Sequence, residues 1–175
     1  MKSAKQLGFG ILDSKSAKRF GGSLLKKSNA KVARPISTKK SMHLVMRSSA
    51  AKGSLSLLKK DQDIYNVIDR QAKRHGVKIY NYANGGNHLH LIIMPLSRKA
   101  FNGFIRSVSG IIARLVLGAQ RGAAKELQFW DQRPFTRIIE WGRDFVRSSR
   151  YLLQNTLEAY GFVEYKPRAR AISSA

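Results

Sequence analysis

The chain has 175 residues, 43% of them hydrophobic, which is enough for one domain with a core of ordinary size plus extensions. Its 33 Lys and Arg against 10 Asp and Glu give a formal net charge of +23, and so large a self-repulsion is best relieved by a polyanion, so nucleic acid is the expected partner. The chain has no cysteine, which excludes disulfides, thiolate zinc sites and cysteine nucleophiles; the apolar runs suggest neither a secretory leader nor a membrane span.

In chain order, residues 1–41 hold one acidic residue, Asp13, among many Lys, Ser and Gly, and read as a basic, flexible arm. Its apolar pieces, LGFGILD and FGGSLL, are too short to form a core, though long enough to dock on one. From Met42 the pattern changes: MHLVM reads as a first strand. KKDQDIYNVIDRQAKRHG has Ile64, Val67, Ile68 and Ala72 at helical spacing, Asp61 near its start and a basic last turn before Gly76, all signs of a helix. VKIYNYA alternates as a second strand. Asn84-Gly85-Gly86 signals a tight turn, which makes NHLHLIIMP a third strand hairpinned to the second and stopped by Pro95.

Arg98 to Leu117 carries the apolar stripe Phe101, Phe104, Ile105, Val108, Ile112 and Leu115 and reads as a second helix. A fourth strand is expected at 135–141, and GRDFVRSSRYLLQNTLEAYG is an amphipathic helix closed by Gly161. The resulting order is strand, helix, strand, strand, helix, strand, helix. That implies an α+β fold of ferredoxin-like, split βαβ type: an antiparallel sheet with helices on one face and a further C-terminal helix. The domain is set at 42–165 and a basic tail at 166–175.

His88 and His90 lie two apart on a predicted strand, so both imidazoles project from one face and form half of a metal site for a divalent cation completed by oxygen ligands. Two sheet histidines satisfied by hydrogen bonds would show the same spacing. A histidine-triad hydrolase would need a third His where Ile92 stands, and a binuclear metallohydrolase an Asp-His pair where Ile93, Met94 and Pro95 stand. The third ligand and a nucleophile must come from elsewhere. On the last helix Tyr151 and Asn155 share a face, with Asp144, Ser148 and Glu158 beside them; Phe145, Val146, Leu152, Leu153, Leu157 and Tyr160 lie on the other side. By that reading Tyr151 stands opposite the apolar stripe, where a surface tyrosine would equally fit.

Taken together, NHLHLIIMP resembles the His-hydrophobic-His strand of the HUH single-tyrosine transposases, and YLLQN resembles their nucleophile helix. FWDQRPFTRIIEW, together with FGGSLLKK and ARPISTKKSMHLVMRS, is most similar to the REP-associated tyrosine transposases of bacteria, so the resemblance covers nearly the whole chain. It implies that His88, His90 and Asn155 bind Mg²⁺ or Mn²⁺, and that Tyr151 attacks DNA to give a 5′-phosphotyrosine link without a nucleotide cofactor. It further implies a single-stranded or hairpin DNA substrate, a monomer or homodimer, a bacterial cytoplasmic, nucleoid-associated location, and a basic arm that reads the base of a hairpin. Arg133, Arg137, Arg143, Arg147 and Arg150 flank the tyrosine and are the candidate backbone contacts. The approach to the motif, NYANGGN, departs from the family pattern by being more polar and glycine-rich. The competing reading is a non-catalytic basic protein that coats or bends nucleic acid, a domesticated or inactive relative included.

Overall fold

Alternation along each strand decides which side of the sheet a residue serves, and two sides with different jobs result. The computed structural model describes residues 19–22, 33–119 and 128–165. They form β1 (Phe20–Gly21), β2 (Ser41–Arg47), α1 (Asp61–His75), β3 (Val77–Asn84), β4 (His88–Pro95), α2 (Arg98–Leu117), β5 (Phe135–Ile139) and α3 (Arg143–Ala159), with short 3-10 turns between β2 and α1. The strands lie in the order β1-β5-β2-β4-β3, and each neighbouring pair is antiparallel. Strand β4 sits between β2 and β3, as the split βαβ reading requires.

Met42, Leu44 and Met46 of β2 and Leu89, Leu91 and Ile93 of β4 point to one face and are covered by α1 and α2. There they meet Ile64, Val67, Ile68 and Ala72 of α1 and Phe101, Phe104, Val108, Ile112 and Val116 of α2. Each fully buried aliphatic side chain of this layer contributes about 1.5–3 kcal/mol relative to exposure. By length and composition α2 is, among the described residues, a helix apolar enough to cross a membrane. Its apolar stripe is here occupied by the core, and Ser97 caps its start by accepting a hydrogen bond from the Ala100 N–H at 3.0 Å. Gly103 lets α1 and α2 close: a Cβ there would stand 2.6 Å from His75 Nδ1, and the His75 ring reaches across to Ser107 Oγ at 3.0 Å.

Two features were not anticipated. Phe20–Gly21 within the basic arm adds an edge strand against Arg137 and Thr136 of β5, fastened by Arg34, which donates to Gly21 O at 3.3 Å and Thr136 Oγ1 at 3.0 Å. Residues 1–18 and 23–32 of that arm, and the tail 166–175, lie outside the described residues. The fourth strand stops at Ile139 rather than 141, because Gly142, with φ +88°, turns the chain into α3.

Candidate active site

Odd-numbered residues of β2 and β5 and even-numbered residues of β4 face the other way, and among them His43, Arg47, His88, His90 and Arg137 are polar. His43 pairs with Ile92 on one side and Arg137 on the other, Val45 pairs with His90, and Arg47 pairs with His88. Helix α3 covers this face. A bulge between Ile79 and Asn81 of β3 turns both Tyr80 and Asn81 toward it: Tyr80 stacks edge-on with Phe145, and Ser149 Oγ donates to Asn81 Oδ1 at 3.2 Å. Ala83, opposite His90, is a small residue in a layer with Ile92, Ile139 and Leu152, against which Tyr151 packs.

The buried residues of α3 are Ser148, Leu152 and Asn155. This corrects the helical-wheel expectation that set Phe145 and Leu152 on the side opposite Tyr151 and Asn155. Phe145 and Leu152 do turn toward the sheet, but Val146 is 48% exposed, Leu153 60% and Tyr160 46%. The receiving surface explains the reversal, because a sheet face carrying His43, His90 and Arg137 is matched by a helix face carrying Ser148, Tyr151 and Asn155. Arg137 donates bidentately to Asp144 at 3.0 and 3.1 Å and to Ser148 Oγ at 2.9 Å, fixing the first turns of α3 to β5. Burial pushes the Asp144 carboxyl up, but the Arg137 hydrogen bonds and charge and the Glu140 N–H outweigh it and hold the group below its ordinary value. Tyr80, Trp141 and Phe145 form an aromatic cluster under the same end of the helix, with centroids 5.1–5.6 Å apart.

Tyr151 lies half-buried at the rim of this face. Its ring meets the His90 ring edge-on at 5.5 Å and the His43 ring at 6.1 Å, and the His88 and His90 rings stand nearly perpendicular at 4.6 Å. Thus His88, His90 and Tyr151, far apart in the chain, are brought together, with Asn155 one helical turn beyond Tyr151 on the buried side. Asn155 Nδ2 donates to Tyr151 O at 2.6 Å, which orients the amide. His88 Nδ1 lies 2.6 Å from Asn87 Oδ1; that oxygen accepts, so Nδ1 carries the proton and Nε2 the lone pair. His43 is buried, and burial first, then the nearby Arg137 charge, lowers its pKa to about 3, against a smaller opposing effect of Asp144; its ring is neutral.

The turn before His88 depends on its glycines. Gly86 takes φ +81°, and a Cβ on Gly85 would stand 2.4 Å from His88 Cε1, so the imidazole lies in space that any other residue would fill. Asn84 Oδ1 accepts from Gly86 N at 3.0 Å while its Nδ2 donates to Asp61 Oδ1 at 2.7 Å, tying the turn to the start of α1. Asp61 also accepts from Tyr82 at 2.6 Å and from Tyr160, just beyond α3, so one carboxylate joins the hairpin and the far end of the tyrosine helix. The hydrogen bond to Asp61 and burial push the Tyr160 phenol up to about 12.

Among the described residues, no three His, Cys, Asp or Glu side chains gather as a metal site. The His88 and His90 rings stand side by side, and Asn155 is buried on α3 one helical turn beyond Tyr151. Two imidazole nitrogens and an amide oxygen are donor types that a divalent cation accepts.

The family model for IS200-like transposases matches residues 36–151, which is well over half of the chain and includes both histidines of the motif and Tyr151. The chain belongs to the IS200-like transposase family. No curated protein matches it by sequence. Its fold is that of a REP-associated tyrosine transposase solved with a REP hairpin, with a TM-score of 0.61 at 15% identity over 78% of this chain and 77% of that one. A transposase-like protein from Deinococcus radiodurans R1 matches at a TM-score of 0.45 and 13% identity, over 75% of this chain and 98% of that one.

The basic residues of this transposase fall into two groups. Arg143, Arg147 and Arg150 are exposed along α3 at i, i+4 and i+7, a stripe that borders Tyr151, and Arg133 is exposed before β5. Arg137 is instead engaged within the protein by Asp144 and Ser148. His43 and Asn87 had not been singled out, and Asp61 and Gly85 had been read only as a helix start and a turn. For His43 the signal was present, a histidine alternating with Met42, Leu44 and Met46 and therefore on the opposite face, but its nearness to His90 depends on strand pairing that no local pattern reveals.

Proposed function

We propose that this transposase cleaves and rejoins single-stranded or hairpin DNA with Tyr151 as nucleophile. The observation that carries this reading is the packing of the Tyr151 ring against His90 on the face that also carries His43 and His88. Tyr151 Oη attacks the scissile phosphorus; the Oη–P bond forms, the bond from phosphorus to the 3′ oxygen breaks, and the DNA 5′ end remains on the enzyme as a phosphotyrosine. The phenol gives up its proton to water or a base as it attacks, and the departing oxygen takes one up to become a free 3′-hydroxyl. A second strand end reverses these steps, and because one phosphodiester is exchanged for another the reaction needs no nucleotide cofactor.

His88, His90 and Asn155 would hold Mg²⁺ or Mn²⁺, which when bound neutralises charge on the scissile phosphate. The chain's own residues orient that set: Asn87 fixes the His88 ring, Gly85 gives it room, and the Arg137–Asp144 pair seats the helix that carries Tyr151 and Asn155. Arg143, Arg147 and Arg150 align the DNA backbone along α3. The edge-on packing of Tyr151 on His90 of its own chain supports a site assembled in cis. Hairpin DNA as substrate is supported by the fold shared with a transposase solved on such a hairpin and by the net charge of +23.

The test is cleavage of a labelled hairpin carrying a single-stranded flank in Mn²⁺. The reading requires cleavage that Tyr151→Phe and a chelator each remove while hairpin binding persists in Tyr151→Phe; tight binding with no cleavage of any flank would favour the non-catalytic binding protein.

A further inference from the structure

The polar face contains one histidine for which the reaction above has no use. His43 is 7% exposed, stacks on His90 with centroids 5.1 Å apart and planes at 25°, and places its Nε2 3.0 Å from His90 Nδ1. The register makes the two diagonal neighbours on adjacent strands, since Val45 faces His90 and His43 faces Ile92. Arg137 across the next strand and Tyr151 edge-on at 6.1 Å bound the His43 ring on its other sides.

Two imidazole nitrogens 3.0 Å apart share one proton, with one ring donating and the other accepting. If His43 donates, a neutral His90 has its own proton on Nε2 and has no lone pair left for a cation. If His90 donates from Nδ1, its Nε2 carries the lone pair, and a metal can be taken only there because Nδ1 is committed to His43. The second arrangement also makes His90 the more basic ligand, as an acceptor on the outer nitrogen of a metal-bound histidine does in general. We propose that His43 is a positioning residue for the metal ligand His90, accepting at Nε2 a hydrogen bond from His90 Nδ1–H and so holding His90 in the tautomer that presents Nε2 to the cation. Asn87 does the same for His88 from the hairpin turn, so each ligand ring has its own acceptor. This rests on the reading that His90 binds metal.

The first measurement needs no variant: long-range ¹H–¹⁵N correlation of the metal-free full chain at neutral pH, in which His90 is expected with its proton on Nδ1. Mn²⁺ affinity is then compared by titration calorimetry among the wild-type chain, His43→Leu, His43→Gln and His90→Ala. His43→Leu, similar in size but with no acceptor, is expected to weaken Mn²⁺ about 10–100-fold. His43→Gln, whose Oε1 can occupy the place of Nε2, is expected to restore most of that affinity. A proton on His90 Nε2, or wild-type Mn²⁺ affinity in His43→Leu while His90→Ala loses binding, overturns the role of His43 alone. Wild-type Mn²⁺ affinity in His90→Ala overturns the metal reading and the proposal with it.

Discussion

The two faces of the sheet are built from alternate residues of the same strands, yet they hold the molecule together by different means. On the α1 and α2 side, Met42, Leu44, Leu89, Leu91 and Ile93 meet helices through apolar contact, and the helices follow the amphipathic pattern of their sequences. On the α3 side, His43, His90 and Arg137 meet Ser148, Tyr151 and Asn155, and the helix is seated by an ion pair, an aromatic cluster at one end and Asp61 at the other. Stability is concentrated on one face, which leaves the other free to keep polar groups that would be costly in a core.

That contrast can be broken in four ways. The largest effect belongs to the apolar face: Phe104→Ala is expected to cost about 3–5 kcal/mol in urea unfolding, and a loss under about 1 would show that this layer does not carry the fold. Next is the ion pair on the polar face. Arg137→Ala is expected to cost about 1–3 kcal/mol, because it strands a partly buried carboxylate. The pH dependence follows from the lowered pKa of Asp144: its contribution is complete above the unfolded value near 4 and is lost as pH falls through the lower folded value. The gap between wild type and Arg137→Ala should therefore narrow below about pH 4; a gap constant from pH 7 to 3 would assign the loss to packing.

Gly85→Ala sharpens the comparison, since it forces the His88 ring away from the turn. It should weaken Mn²⁺ binding in calorimetry while moving the unfolding midpoint little, and the reverse outcome would make Gly85 a folding residue only. The smallest effect is expected from Arg147→Ala on the exposed stripe, which should lower the slope of log affinity against log salt for a hairpin by roughly one phosphate contact. An unchanged slope would place the DNA elsewhere.

What could be read from the sequence divides along the same line. The order of elements and the split βαβ topology followed from periodicity, because the apolar layer obeys the rules that periodicity encodes. His88 and His90 on one face followed from strand alternation, and Tyr151 with Asn155 from i, i+4 spacing. The orientation of α3 did not follow, since an apolar stripe predicts burial only when the receiving surface is apolar, and here it carries His43 and Arg137. The partnership of His43 with His90 rests on non-local pairing of β2 with β4, the reach of Asp61 to Tyr160 spans 99 residues, and the two-residue strand Phe20–Gly21 is too short to show any alternation.

The central claim is that the polar face places Tyr151 to attack DNA. The most direct test is to trap the covalent complex formed with a hairpin substrate and Mn²⁺, digest it with protease and nuclease, and map the modified residue by mass spectrometry. The account predicts a nucleotide joined through its 5′ phosphate to Tyr151 and absent in His90→Ala; a nucleotide on any other residue, or no adduct from a cleaving enzyme, would contradict it.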